Sequence, residues 1–175
     1  AYQGAPGESA AEIIVKVAQA CQINPQVLLV KLQVEQSLVS RKSPASAATY
    51  DKAMGYACPD TAACNPAYAG FYNQVYSAAH RFREYPTLSW VRHKPGTTVN
   101  VRYHPNASCG SSPVYIANQA TANLYNYTPY QPNQALLNGQ PNGCSAYGNL
   151  NFFKFFNDWF GPSTSASPIG VIDVV

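Results

Sequence analysis

The chain has 175 residues and a formal charge of +3, with 46% hydrophobic but only 11% charged residues. That length predicts one compact domain with a sizeable core, whose polarity comes from Asn, Gln, Ser, Thr and 13 tyrosines in place of the usual share of charge. No basic run extends beyond Arg41-Lys42, which argues against a nucleic-acid partner, and no stretch approaches the roughly 20 apolar residues of a membrane span.

The opening Ala-Tyr-Gln-Gly-Ala-Pro-Gly reads as a processed end from which a signal has been removed. Ser9 followed by Glu12 is a capping-box pair and starts a helix over 8–22 with Ile13, Ile14, Val17 and Ala20 or Cys21 inward. Asn24-Pro25 caps and opens a second helix over 24–39. This is the most apolar helix in the first half of the chain, and helical spacing places Leu28, Leu32 and Val39 on the face that carries Glu35. Residues 40–66 read as a long loop with one helical turn near 46–53, and loops of that length commonly serve a site. Asn65-Pro66 repeats the cap-plus-proline start and predicts a helix over 67–85. Its stripe of Phe71, Val75, Ala78, Ala79 and Phe82 is interrupted by Asn73 and Gln74, and Pro86 stops it.

Residues 87–97 are irregular, with Trp90 packed. Val99, Val101 and Tyr103 alternate with polar residues, the period of a half-buried strand, and residues 113–116 pair with it as a small hairpin. A helix over 117–127 follows, with Ala117, Ala120, Thr121, Leu124 and Tyr125 on one face. Two prolines keep residues 127–133 irregular, and residues 134–148 are mostly loop. The last helix, Asn149–Phe160, is aromatic nearly all round and is expected to be buried or packed on an aromatic core. The fold class is mainly α (α+β), with a small β-hairpin and long loops. Residues 1–161 form the domain, and 162–175 are a Ser/Thr/Pro linker with an apolar tail that leads toward a further module.

Cys58 and Cys64 bracket a short loop, and Cys109 and Cys144 both lie in Gly/Ser/Asn-rich loops. The expected arrangement is two disulfides, Cys58–Cys64 and Cys109–Cys144, with Cys21 buried and free. Such a pattern belongs to an oxidising, extracellular compartment. Zinc is the rival reading of these cysteines, but no pair has tight metal-ligand spacing. No metal and no cofactor is expected.

Of the eight acidic residues, only Glu35 sits inside an apolar helix without a capping or end role. Burying an unpaired carboxylate is costly, so two explanations compete. One is an ion pair with Lys31, in the weaker i, i+4 order and worth a few tenths of a kcal/mol. The other is a general acid held protonated by apolar surroundings, as glycosidases require. Asp60, in the short cysteine-bracketed loop, is the best candidate for a second carboxylate, followed by Asp51. A cysteine peptidase built on Cys21 with His80, His93 or His104 is disfavoured, because Cys21 lies late in an amphipathic helix rather than at an exposed helix start.

The run Gln26-Val27-Leu28-Leu29-Val30-Lys31-Leu32-Gln33-Val34-Glu35-Gln36-Ser37 resembles the catalytic helix of the lytic transglycosylase and goose-type lysozyme superfamily. There the acid is usually followed directly by Ser; here Gln36 intervenes. Gly70-Phe71-Tyr72-Asn73-Gln74 resembles a relaxed form of that superfamily's Gly-Leu-Met-Gln segment, and Tyr125–Tyr130 stands where those enzymes carry a Tyr-Asn-rich motif. Residues 9–161 are similar to the lysozyme-like domain of secreted actinobacterial cell-wall proteins. The resemblance implies a secreted, monomeric muramidase or lytic transglycosylase acting on peptidoglycan glycan strands. It would cleave the MurNAc–GlcNAc β-1,4 bond with Glu35 as general acid, often with no second carboxylate. It further implies sugar contacts from Tyr56, Asn73, Gln74, Tyr127 and Gln131, with Asp60 beside them. The alternative is a non-catalytic glycan or cell-wall-binding module of the same fold.

Overall fold

The computed structural model describes residues 2–162. The tail expected over 162–175 lies, apart from Pro162, outside them. Among the described residues are seven α-helices and one two-stranded antiparallel sheet, the mainly-α architecture with a small hairpin that the sequence predicts. They divide into two compact units, one formed by the chain up to Arg83 together with the segment from Phe156, the other by Glu84–Phe155.

The first unit begins with α1 (Ala10–Cys21). Ser9 accepts from the Glu12 backbone while the Glu12 carboxylate accepts from the Ser9 backbone, the complete reciprocal cap. Ile14, Val17, Ala18 and Cys21 are buried. Asn24 caps α2 (Pro25–Gln36), which buries Val27, Leu28, Val30 and Leu32 together with the polar Lys31 and Gln33. Burial on more than one side identifies a central helix. The helix ends three residues earlier than expected. Ser37 turns left-handed, with φ 53°, and the Ser37 and Leu38 amides close on the Gln33 and Leu32 carbonyls. Val39 therefore leaves the Glu35 face and is 43% exposed.

The single turn expected near 46–53 is α3 (Ala47–Tyr50). The Asn65-Pro66 start yields only a 3-10 turn, Pro66–Tyr68, because Gly70 takes φ +93°. The long helix α4 (Phe71–Glu84) begins after that break and buries Gln74, Val75, Ala78, Ala79 and Phe82. Cys58–Cys64 forms, and Cys21 is buried and free.

The second unit holds the hairpin, β1 (Thr98–Arg102) and β2 (Ser111–Tyr115), in the register Val99↔Val114 and Val101↔Ser112. Val101 and Ile116 are buried beneath it. Asn118 caps α5 (Gln119–Tyr127). Asn133 caps a short helix, α6 (Gln134–Leu137), inside a stretch expected to be mostly loop. Cys109–Cys144 joins the loop between β1 and β2 to the segment after α6.

Two aromatic expectations are corrected. Trp90 is 68% exposed: the flanking Val91 and His93 are the buried residues of the irregular segment, and their anchoring leaves Trp90 in solvent. In α7 (Gly148–Phe160), Phe152 and Phe156 are buried while Phe153, Trp159 and Phe160 are exposed, so burial follows one stripe and not the whole circumference. Both disulfides fit a secreted protein, and no helix among the described residues is long and apolar enough to cross a membrane.

Candidate functional site

Glu35 lies in the last turn of α2, where Oε1 accepts from Lys31 Nζ at 2.5 Å. The lysine side chain is 3% exposed and the glutamate 26%. The surroundings are thus not the apolar pocket expected from the sequence, since a buried ammonium occupies one side of the carboxylate. A pair with one buried member is also a different object from the surface pair that spacing suggests. Desolvating an ammonium costs several kcal/mol, which a well-placed carboxylate offsets. Lys31 therefore fixes where Oε1 points.

The other oxygen rests against Gly55. This residue has φ +65°, and a Cβ placed on it would stand 2.6 Å from Glu35 Oε2. Only glycine meets both demands here, the left-handed backbone and the close approach. Gln74 holds that backbone in place. It is 1% exposed, and its Oε1 accepts from the amides of Met54 at 3.2 Å and Tyr56 at 3.1 Å. Its Nε2 donates to the carbonyls of Tyr56 at 3.0 Å and Tyr68 at 2.9 Å. The interruption in the apolar stripe of α4 is thus a strut that presses residues 54–56 toward Glu35. Gln74 was expected to touch sugar; it is enclosed and its hydrogen-bonding capacity is used internally, so it acts by positioning Gly55. Gly55→Ala is expected to cost about 1–3 kcal/mol from backbone strain and collision and to lower any activity that depends on Glu35. Urea unfolding of the variant checks the first part; an unchanged midpoint would contradict the close approach.

The remaining residues expected at the site divide between the units. Tyr56 is half-buried, its ring edge-on to Tyr68 at 5.0 Å and its hydroxyl accepting from Arg81 at 3.3 Å. Asn73 is exposed on α4, with Nδ2 donating to the Ala69 carbonyl at 2.7 Å. Asp60 is exposed inside the Cys58–Cys64 loop. Lys31 and Gly55 are the site residues that the sequence reading did not assign. Helical spacing pointed to Lys31; for Gly55 there was no more than a glycine next to a tyrosine.

Tyr127 and Gln131 belong to the second unit. Tyr127 ends α5 and is half-buried. The backbone amide of Gln131 donates to the Arg102 carbonyl at 2.8 Å, and its Nε2 lies within hydrogen-bond reach of the Val101 carbonyl, the Ser112 carbonyl and Ser112 Oγ at 2.8–3.0 Å. It staples the Tyr-rich segment to the hairpin with its Nε2 and stays half-buried. Asn149 Nδ2 anchors the same segment through the Thr128 and Tyr130 carbonyls at 2.7 and 2.9 Å.

Asn126 forms a reciprocal pair with His93, accepting from the His93 amide at 3.0 Å and donating to its carbonyl at 2.9 Å. The imidazole Nδ1 lies 3.0 Å from Asn126 Oδ1, an acceptor that selects the Nδ1-protonated tautomer. Burial of this ring lowers the His93 pKa, assisted by Arg92 and opposed by the hydrogen bond to Asn126. In the window between the lowered value and the ordinary value of about 6.5, the unfolded chain binds a proton that the folded chain refuses. Stability must then fall as pH drops through that window and level off below it. Denaturant unfolding at pH 7.5 and pH 5.5 is expected to show this loss in the wild type and a smaller one in His93→Gln. Equal losses in both proteins would remove His93 as the cause.

Burial raises the Cys21 thiol, the opposite of what a nucleophilic thiolate requires. The described His80 and His104 have local roles, His80 stacking on Tyr76 and His104 accepting from the Asn106 amide.

The family model described as LasA, N-terminal domain, matches residues 2–169. No curated protein and no solved structure matches the chain.

Proposed function

We propose that this chain, which belongs to the LasA N-terminal domain family, cleaves peptidoglycan glycan strands at the MurNAc–GlcNAc β-1,4 bond with Glu35 as the general acid. One observation carries the reading. A carboxyl at the end of a buried helix has one oxygen fixed by Lys31 and the other set close against Gly55, and it remains partly open to solvent. Support of that kind is what a proton-transferring group needs, because a reacting carboxyl must be placed within a fraction of an ångström. The resemblance of Gln26–Ser37 to the lytic transglycosylase helix supports the substrate class, as does a surface rich in Tyr and amides.

The proposed reaction balances as follows. The Glu35 carboxyl gives its proton to the bridging oxygen, and the bond between that oxygen and the muramyl C1 breaks, its electron pair leaving with the oxygen. The resulting oxocarbenium-like centre takes a water or the muramyl 6-hydroxyl, whose proton returns to the Glu35 carboxylate. Water makes the protein a muramidase; the internal hydroxyl makes it a lytic transglycosylase. It works as a secreted monomer on the cell wall. Tyr56 and Asn73, which retain solvent-exposed surface in the same unit, are the proposed sugar contacts.

The Lys31 pair favours a second reading. A carboxylate that neutralises a buried ammonium already has a structural task, and a glycan-binding module needs no more than that. Mass spectrometry of the soluble products released from purified cell walls separates the two. Reducing muropeptides identify the muramidase, and products lighter by one water identify the transglycosylase. Folded protein that sediments with the walls but releases nothing leaves only the binding module.

A further inference from the structure

A second cleft, built wholly within Glu84–Phe155, is not used by the chemistry assigned to Glu35. Its volume is about 290 Å³ and it is lined by, among others, Trp90, Arg92, Asn100, Arg102, Tyr125 and Tyr130. Each wall is held from behind. Asn100 and Arg102 are two apart on β1 and so share a face, while the intervening Val101 is 1% exposed on the other. The Arg92 guanidinium donates to the Asn100 carbonyl at 2.7 Å, which fixes it beside that strand. Tyr130 is bridged to Arg102, with the Gln131 staple and the Asn149 anchor behind it. The His93–Asn126 pair ties the Trp90 segment to α5.

The chemistry of the lining narrows the ligand. A strongly exposed indole and two tyrosine rings offer flat surfaces for the apolar face of a pyranose. Asn100 supplies an amide, and the two arginines supply forked donors shaped for a carboxylate. The charge of this unit as a whole points the same way. Between Glu84 and Phe155 the sole carboxylate side chain is that of Glu84, against Arg92, Lys94, Arg102 and Lys154. A neutral glycan would gain nothing from this excess.

We infer that this cleft is a binding subsite for a carboxylate-bearing saccharide, with Trp90 stacking on the sugar ring and Arg92 and Arg102 taking the acid. The choice of sugar rests on the peptidoglycan reading above: the lactyl ether of a muramyl unit carries such a carboxylate wherever no stem peptide is attached to it. The site distinguishes a muramyl unit without its stem peptide from plain N-acetylglucosamine.

The test uses two probes, the disaccharide GlcNAc-β-1,4-MurNAc with its free lactyl carboxylate and neutral chitobiose, titrated calorimetrically. Neither contains the MurNAc–GlcNAc bond, so binding is read without turnover, and failure here is distinct from failure of the glycosidase reading. The acidic disaccharide is expected to bind about tenfold or more tighter than chitobiose. Arg102→Gln, an exposed substitution, is expected to reduce it to the level of chitobiose, and Trp90→Ala to weaken both. Equal affinity for the two probes, no binding of either, or an Arg102→Gln protein that binds the acid undiminished would overturn the inference. So would a short acidic peptide that binds as well as the acidic sugar, because the cleft would then be a carboxylate site with no preference for glycans.

Discussion

Glu35→Gln is expected to reduce release of muropeptides from purified cell walls by about 10²–10⁴-fold, the usual contribution of a positioned proton donor, while the protein stays folded. The amide has the size of the carboxyl and its carbonyl oxygen can still accept from Lys31, so the last turn of α2 keeps its shape. What it lacks is a group that can give a proton and take it back. Stability should fall as well, because Lys31 is buried and loses the negative member of its pair, which mutational series put at about 1–3 kcal/mol for one weakened charge-assisted bond. The two effects are separable: thermal unfolding reports the second, and the lytic rate below the unfolding transition reports the first. A variant that is destabilised yet lyses at near the wild-type rate would assign Glu35 to the fold and leave the glycan-binding module as the reading to pursue.

The second large effect is expected on stability. Gln74→Leu is nearly isosteric, but it strands two backbone amides and two backbone carbonyls that Gln74 now satisfies at residues 54, 56 and 68. Each buried group left unpaired costs about 1–3 kcal/mol. Relaxation of the loop toward solvent recovers part of this, so the expected net loss is about 3–5 kcal/mol. Gln74→Glu keeps the acceptor but buries a carboxylate whose second oxygen faces two carbonyls, and should cost at least as much as the leucine variant. Lytic activity is expected to fall with both, since residues 54–56 no longer hold Gly55 against Glu35. Urea unfolding of the two variants measures the order. A loss below about 1 kcal/mol for the leucine variant would mean that the loop satisfies itself without Gln74, and the strut would have to be abandoned.

These two residues show how differently the parts of a site declare themselves. An acid in an apolar helix is visible from periodicity alone, because a carboxylate at such a position conflicts with its neighbours. Gln74 is visible as a conflict too, but its resolution is not. The same interruption fits an amide reaching outward to a ligand or one turned inward to backbone, and the choice depends on which loop packs on α4. The staple role of Gln131 was hidden for the same reason. In Tyr-Thr-Pro-Tyr-Gln-Pro a glutamine between prolines looks like a surface group, yet the hairpin lies beside it with open carbonyls. Trp90 and Phe153 erred in the opposite sense: large aromatic residues are usually inward, and only their buried neighbours reveal that they face out.

The sequence by itself determined the local elements and their signals: the Ser9/Glu12 box, the Asn-Pro starts, the hairpin alternation, the pairing of cysteines by loop, and Glu35 as the residue in need of an explanation. Each of these depends on contacts within a few residues or on a period that a single helix or strand imposes. Only the tertiary structure decided the partners of Glu35, the inward turn of Gln74 and Gln131, and the outward turn of Trp90. It also decided where Glu35's helix stops and which glycine lies beneath the carboxylate. These depend on segments that are distant along the chain and meet only when it folds, and neither spacing nor composition carries that information.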